Sequence, residues 1–335
     1  MLYVSTRNRT DSYTAYRALH DTCAPDGGMF VPFQLQIISD EELRSFSSRT
    51  FSENIAYVLN LFFSANLQSW DVEVCIGKYP IELLTLPRKL TVVECWHNLS
   101  STYARLESAL YSLLCGENTM KPATDWAKIA IRIALLFAIY GELDPELSSN
   151  SFDFAVHSRN FTTPIAAWYA RRMGLPIGKI ICAGYENSDS WDLLHRGELN
   201  CEACTPDAIG LERLIYMTLG QEEAMRFADT CLGRKTYLLD EEQLPLLNRG
   251  LFAAVVSKDR IQSTISNMYR TNGYIPDTVA AISYSALQDY RAKTGEGSQT
   301  LILSLESPAN HAYELARILG LSVSEIEKKV NCRKG

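Results

Sequence analysis

The chain has 335 residues, and its 32 Lys+Arg against 39 Asp+Glu give a formal net charge of −7. An apolar fraction of 47% with 21% charged residues excludes bulk disorder and leaves room for one large core or two domains. The mildly acidic balance, with no Lys/Arg cluster, argues against a nucleic-acid partner, because phosphate binding needs concentrated positive charge.

The amino terminus, Met1-Leu2-Tyr3-Val4-Ser5-Thr6-Arg7, lacks the apolar run of a signal peptide, so a cytoplasmic location is expected. Residues 1–95 read as short strands and helices, an α+β region. Pro25-Asp26-Gly27-Gly28 is a turn, because Asp and two glycines tolerate the dihedrals of a tight reversal. Ser39-x-x-Glu42 and Thr50-x-x-Glu53 are capping boxes that each start a helix. After the second, Ile55, Val58, Leu59, Leu61 and Phe62 recur at helical spacing. The most apolar stretch, Trp126 to Leu143, is interrupted by Lys128, Arg132 and Glu142. It is too short and too charged to span a bilayer and reads as a buried helix, so no membrane partner is expected.

Phe152 to Val156 is a short apolar run suited to a strand buried on both faces. After His157-Ser158-Arg159-Asn160-Phe161-Thr162-Thr163 comes Pro164, which fits the first position of a helix capped by Thr163. That helix runs through Trp168 and Arg172 to Gly174, and Lys179 to Ala183 is the next strand, completing a βαβ unit. Later, Pro276-Asp277 opens a helix through Tyr284 and Leu287, and Thr300 to Leu305 is a strand. Ser307-Pro308 caps a helix ending at Gly320, and Ser322-x-x-Glu325 boxes the last one. Residues 146–335 therefore read as a large α/β domain with a largely parallel sheet.

In such sheets ligands bind beyond the carboxyl ends of strands, at helix N-termini. The loop from His157 to Thr163 sits at that place and offers the hydroxyls of Ser158, Thr162 and Thr163, the cation of Arg159 and the amide of Asn160. This set suits a small anion, a phosphate or the carboxylate of an amino-acid metabolite. The other reading is that Asn160 and Thr163 only cap the helix and Arg159 is solvated; the loop has none of the glycine common in anion-binding turns. Nine scattered cysteines suggest reduced thiols. Cys182, His195, Cys201 and Cys204 have zinc-ligand chemistry, but with one short-spaced pair no metal is expected.

At this loop the sequence resembles the threonine synthase family. Phe154-Ala155-Val156-His157-Ser158-Arg159-Asn160-Phe161 and Ala170-Arg171-Arg172-Met173-Gly174-Leu175-Pro176-Ile177 are similar to a stretch where that family has a Ser-Gly-Asn-Phe-Gly loop and a helix ending in Met-Gly-Leu-Pro-Ile. Tyr3-Val4-Ser5-Thr6-Arg7 and Ala24-Pro25-Asp26-Gly27-Gly28-Met29-Phe30-Val31-Pro32 are similar to its amino-terminal signature. Glu186-Asn187, Leu211-Glu212-Arg213, Ile275-Pro276-Asp277-Thr278-Val279 and the run from Leu303-Ser304 to Asn310 resemble further family segments in the same order. The resemblance implies the tryptophan synthase β-like fold of pyridoxal phosphate (PLP) enzymes. It also implies an ancestral conversion of O-phosphohomoserine to threonine, by way of a lysine that bonds covalently to the cofactor. Ser158, Arg159, Asn160, Thr162, Thr163 and Ser304 would be the remnant of the cofactor pocket.

Against the family pattern, the lysine-bearing segment reads His97-Asn98-Leu99-Ser100-Ser101-Thr102-Tyr103-Ala104-Arg105, with Ala104 at the lysine position. The loop glycines are Arg159 and Thr162, and the substrate-phosphate segment has no counterpart between Leu114 and Asp125. Asn310 replaces a further family lysine. Residues 96–145 are then a remnant of a largely deleted smaller cofactor-flanking domain. Lys89, Lys121 and Lys128 lie outside the cofactor-facing turn. The expectation is a chain that has lost this PLP chemistry, with no cofactor and no retained catalytic residue, acting as a binding or interaction module and self-associating as a homodimer. The alternative is an active enzyme or metabolite sensor that uses the remnant cleft through His97, Arg159 or Cys95, including residual carbon–oxygen lyase chemistry.

Overall fold

The computed structural model describes residues 1–77, 81–97, 103–116, 125–144, 148, 150–185, 188–203 and 206–331. The apolar runs of the second half become strands covered on both faces. Chain order gives β1 (Leu2–Ser5), β2 (Tyr13–Thr14), β3 (Phe30–Pro32), β4 (Glu82–Leu86), β5 (Leu90–Glu94), β6 (Phe152–His157), β7 (Ile177–Gly184), β8 (Glu198–Asn200), β9 (Thr236–Leu238), β10 (Leu251–Val255) and β11 (Thr300–Ser304). Six of them form the central sheet in the order β10-β7-β6-β11-β5-β4, parallel except for the antiparallel edge pair β4–β5. Because β4 and β5 complete this sheet, residue 95 marks no break in the architecture. β1, β2 and β3 form a small antiparallel sheet of their own.

Successive residues of a strand face opposite ways, and here both directions lead into apolar cores. Phe154, Val156, Ile180, Cys182, Leu301 and Leu303 enter one core. Ala155, Ile181, Ala183 and Ile302 enter the other. The first core is filled by helices α1 (Phe51–Phe63), α2 (Tyr103–Cys115), α3 (Trp126–Gly141) and α4 (Thr162–Arg172). The helices Lys258–Asn272 and Thr278–Thr294 and the two carboxy-terminal helices fill the second. Between them in sequence, α5 (Pro206–Leu219) and α6 (Gln221–Leu232) connect the paired strands β8 and β9.

Helix α3 is the centre of the first core. From Trp126 to Tyr140 every residue except Lys128 and Arg132 is buried. Asp125 caps it by accepting from the Lys128 N–H at 2.9 Å, and the Tyr111 hydroxyl donates to the same carboxylate at 2.9 Å. The Trp126 indole N–H donates to the Tyr3 hydroxyl at 3.0 Å, and that hydroxyl donates to the Phe62 carbonyl at 2.9 Å. Tyr3, Phe62 and Tyr169 pack edge-on around the indole. One side chain thus joins the small sheet, α1, α3 and α4.

The boxes at Ser39 and Thr50 form, as do the cap at Asp277 and the reciprocal bonds of Ser322 and Glu325. Two expected caps do not. Helix α4 begins at Thr162, two residues early, because Asn160 and Phe161 adopt left-handed φ of 55° and 49° and turn the chain without a side-chain cap. The Thr163 hydroxyl instead accepts from Arg132. Ser307 makes no cap bond either, since the chain passes through a 3-10 turn at Pro308–His311 before Ala312–Leu319. Among the described residues no helix is long and apolar enough to cross a membrane.

Replacing Trp126 by Ala removes the indole and its hydrogen bond together. We expect a loss of about 3–5 kcal/mol of unfolding free energy in urea titrations, the usual range for emptying an aromatic site in a core.

Candidate functional site

A cavity of about 730 Å³ opens beyond the carboxyl ends of β6, β7 and β11, where open α/β sheets bind ligands. Its walls come from the start of α2, from α3, from the turn after β6, and from the loops following β7 and β11.

The strongest charge on this wall is set by α3. Arg132 projects from an otherwise apolar helix face, and its guanidinium meets Glu107 of α2 in a two-pronged contact of 2.6 and 3.1 Å. The third arm donates to the Thr163 hydroxyl at 2.7 Å. Burial works against the Arg132 charge, but Glu107 outweighs it and the guanidinium holds its proton more tightly than usual. Arg159, in contrast, is exposed at the cavity and makes no hydrogen bond or ion pair among the described residues.

His157 ends β6 on the cavity wall, edge-on to Tyr185. Burial, reinforced by the nearby positive charge of Arg159, lowers its pKa to about 4, so the ring is neutral at pH 7. Opposite, Asp277 accepts from the backbone N–H groups of Ala280 at 2.6 Å, Leu305 at 2.6 Å and Glu306 at 2.9 Å. Its complete burial outweighs these donors and lifts its pKa to about 6. Asp277 therefore fixes the exit of β11 against the helix it caps. At the same side of the cavity His311 and Glu306 pair at 3.1 Å.

The structure brings Ala104, Ser158, Arg159, Asn160 and Thr163 onto the wall of this one cavity. Ser158 is buried, with its hydroxyl donating to the Ala183 carbonyl at 3.0 Å. Thr162 is buried off the wall, donating to the Asn160 carbonyl at 3.2 Å. Ser304 also stays off the wall, accepting from the Trp96 indole at 2.9 Å. His97 is likewise drawn away, because Glu94 holds its Nε2 at 2.6 Å and Glu82 lies 3.4 Å from its Nδ1. Cys95 is buried beneath the sheet end, and burial pushes its thiol pKa far up. Lys89 lies at the opposite end of the sheet, where its carbonyl accepts from the Thr300 N–H. Lys128 packs over the Tyr111 ring, and Lys121 lies outside the described residues. Asn98–Thr102, Glu186, Asn187 and Cys204 also lie outside them.

The zinc-like set does not assemble among the described residues. Cys182 is buried in β7, and His195 stacks on Trp191. Glu107, Arg132, His157 and Asp277 are wall residues the sequence reading did not single out as site residues. The visible signal for the first pair was Arg132 itself, a cation amid an apolar helical run.

With this geometry in view, the comparisons are consistent. The sequence model of the threonine synthase N terminus matches residues 2–79. Threonine synthase of Saccharomyces cerevisiae is 26% identical over 235 residues, covering 62% of this chain and 45% of that protein. The Pseudomonas aeruginosa enzyme is 27% identical over 182 residues, covering 50% of this chain and 38% of that protein. The aligned chain thus spans less than half the length of these curated relatives. A PLP-bound threonine synthase structure from Brucella melitensis superposes with a TM-score of 0.78 at 17% identity, over 96% of this chain and 92% of that one. The fold is accordingly that of the tryptophan synthase β-like group, the type II fold of PLP enzymes. Within it, these likenesses, strongest over residues 2–79, support membership of the threonine synthase family.

PLP held as in such enzymes needs a lysine amine on the cavity wall. Among the described residues the wall carries no lysine, and Ala104 of α2 lines it instead. The turn also presents the Arg159 side chain to the cavity rather than bare backbone. These residues do not fit a covalently held PLP.

Two measurements check this account. Glu107→Ala should destabilise by about 2–4 kcal/mol, because it strands the Arg132 charge, whereas Arg132→Met with Glu107→Leu should recover most of that loss in denaturant titrations. For His157, the unfolded chain gains its proton near the ordinary 6.5 and the folded chain only near 4, so this residue withdraws stability as pH falls through that window. Thermal melts from pH 7 to 4.5 should therefore show a smaller loss for His157→Gln than for the native chain, by on the order of 2 kcal/mol.

Proposed function

We propose that this chain is a non-catalytic threonine synthase relative that uses the cavity beyond β6, β7 and β11 to bind a small anionic metabolite. The observation that carries the reading is Ala104 on a wall with no lysine among its described residues. A methyl group can neither bond the cofactor nor move protons for it. What the wall keeps is recognition chemistry. Arg159 offers an uncommitted cation beside the amide of Asn160, and Arg132 is already neutralised by Glu107. That combination favours a small ligand held through one carboxylate or phosphate, such as an amino acid or an O-phospho amino acid.

The test has two arms. Native protein incubated with PLP and reduced with borohydride should show no stoichiometric single-site adduct by mass spectrometry, whereas Ala104→Lys should acquire one. A trapped adduct on one native lysine would return the chain to the catalytic reading. In the second arm, amino acids and O-phospho amino acids are screened by thermal shift, where a ligand at a hundred times its Kd adds about 2.7 kcal/mol of stability. We expect a rise of several degrees with one of them, removed by Arg159→Ala. A flat screen would sink the ligand half of the proposal.

A further inference from the structure

We propose that Cys201 and Cys231 are a redox-sensitive pair that closes to a disulfide by exchange with a low-molecular-weight disulfide. Neither is in a disulfide here, and their Sγ atoms lie 3.1 Å apart, in direct contact. A disulfide needs sulfurs about 2.05 Å apart, so a closure of roughly 1 Å suffices. The surrounding backbone keeps the two residues together. The Cys201 N–H donates to the Lys235 carbonyl at 3.2 Å, and the Lys235 N–H donates to the Thr230 carbonyl at 3.0 Å. This pairing runs on from β8–β9, where Asn200 faces Thr236.

Exposure differs between the two thiols and gives the order of events. Cys201 is buried, whereas Cys231 on α6 is partly exposed. The Cys231 thiolate attacks one sulfur of the small disulfide, forming a mixed disulfide and releasing one small thiolate, which takes up a proton. Cys201 then loses its proton to solvent and attacks the Cys231 sulfur, and the second small thiolate leaves. Two protein thiols are oxidised and one small disulfide is reduced to two thiols.

The closed loop would contain α5, which backs the ligand cavity: a Cβ added at Gly210 would lie 2.7 Å from the Asn160 carbonyl oxygen. The bond would thus tie down the layer behind the turn that presents Arg159. This inference stands whether or not the cavity binds an anion.

The experiment uses the full chain equilibrated in glutathione buffers of graded oxidation, quenched by alkylation and mapped by tryptic mass spectrometry without reduction. Because Cys201 and Cys204 share the tryptic peptide 197–213, the measurement is made on both the native chain and Cys204→Ser. We expect a linkage between peptides 197–213 and 227–234 in both proteins. It should be reversed by dithiothreitol, be absent in Cys231→Ser and be accompanied by a rise of about 3 °C or more in Tm, the sign expected when a long loop is closed. The proposal is overturned if Cys204→Ser forms no such linkage at the most oxidising ratio. It is equally overturned if a glutathione adduct at Cys231 persists without resolving, or if Cys201 pairs with another cysteine.

Discussion

One partly buried cation, Arg132, organises the region that matters. Arg132 sits on a helix whose other residues from Trp126 to Tyr140, Lys128 apart, are apolar or small and buried, and a guanidinium cannot shed its charge at any ordinary pH. Leaving it unpaired would cost several kcal/mol. Glu107 therefore has to stand opposite, which sets α2 against α3, and Thr163 takes the remaining arm, which sets the first turn of α4. Three helices are brought into register around one charge, and the cavity is the space they leave at the sheet's carboxyl edge.

The interactions that hold this fold are separate from position 104. The type II sheet, the turn after β6 and the cavity all persist, because their integrity rests on burial and on backbone bonding such as that of Asp277 to Ala280, Leu305 and Glu306. None of those interactions needs a lysine at position 104. An alanine there costs nothing in packing, since the residue is exposed to the cavity. Stability is spread over the two apolar cores, so the change proposed at position 104 leaves the fold intact.

Some of the site was legible beforehand because it obeys local rules. The turn from Ser158 to Thr163 was placed beyond a strand end by the sequence of strand, turn and helix alone, and Ala104 was placed by its distance from Tyr103 in the resembling segment. Thr162 and Ser304 were misplaced for a three-dimensional reason: each hydroxyl finds an acceptor or donor off the wall, Thr162 at the Asn160 carbonyl and Ser304 at the Trp96 indole. His97 left the cavity for the same kind of reason, since two carboxylates on adjacent strands offer it a better environment. The start of α4 shifted by two residues because Phe161 takes a left-handed turn that residue preference would not select.

The sequence by itself determined many of the elements and the parallel α/β class, and it places Ala104 where the resembling family carries its lysine, because periodicity, caps and a substituted position are properties of neighbouring residues. Only the tertiary structure decided which polar groups share the cavity. Glu107 and Arg132 are 25 residues apart, and Cys201 and Cys231 are 30 apart. His157 is an ordinary histidine until the cavity buries it and Arg159 is set beside it. Distance through space and local dielectric govern charge pairing, proton affinity and thiol exchange, and neither is written in the spacing of residues along the chain.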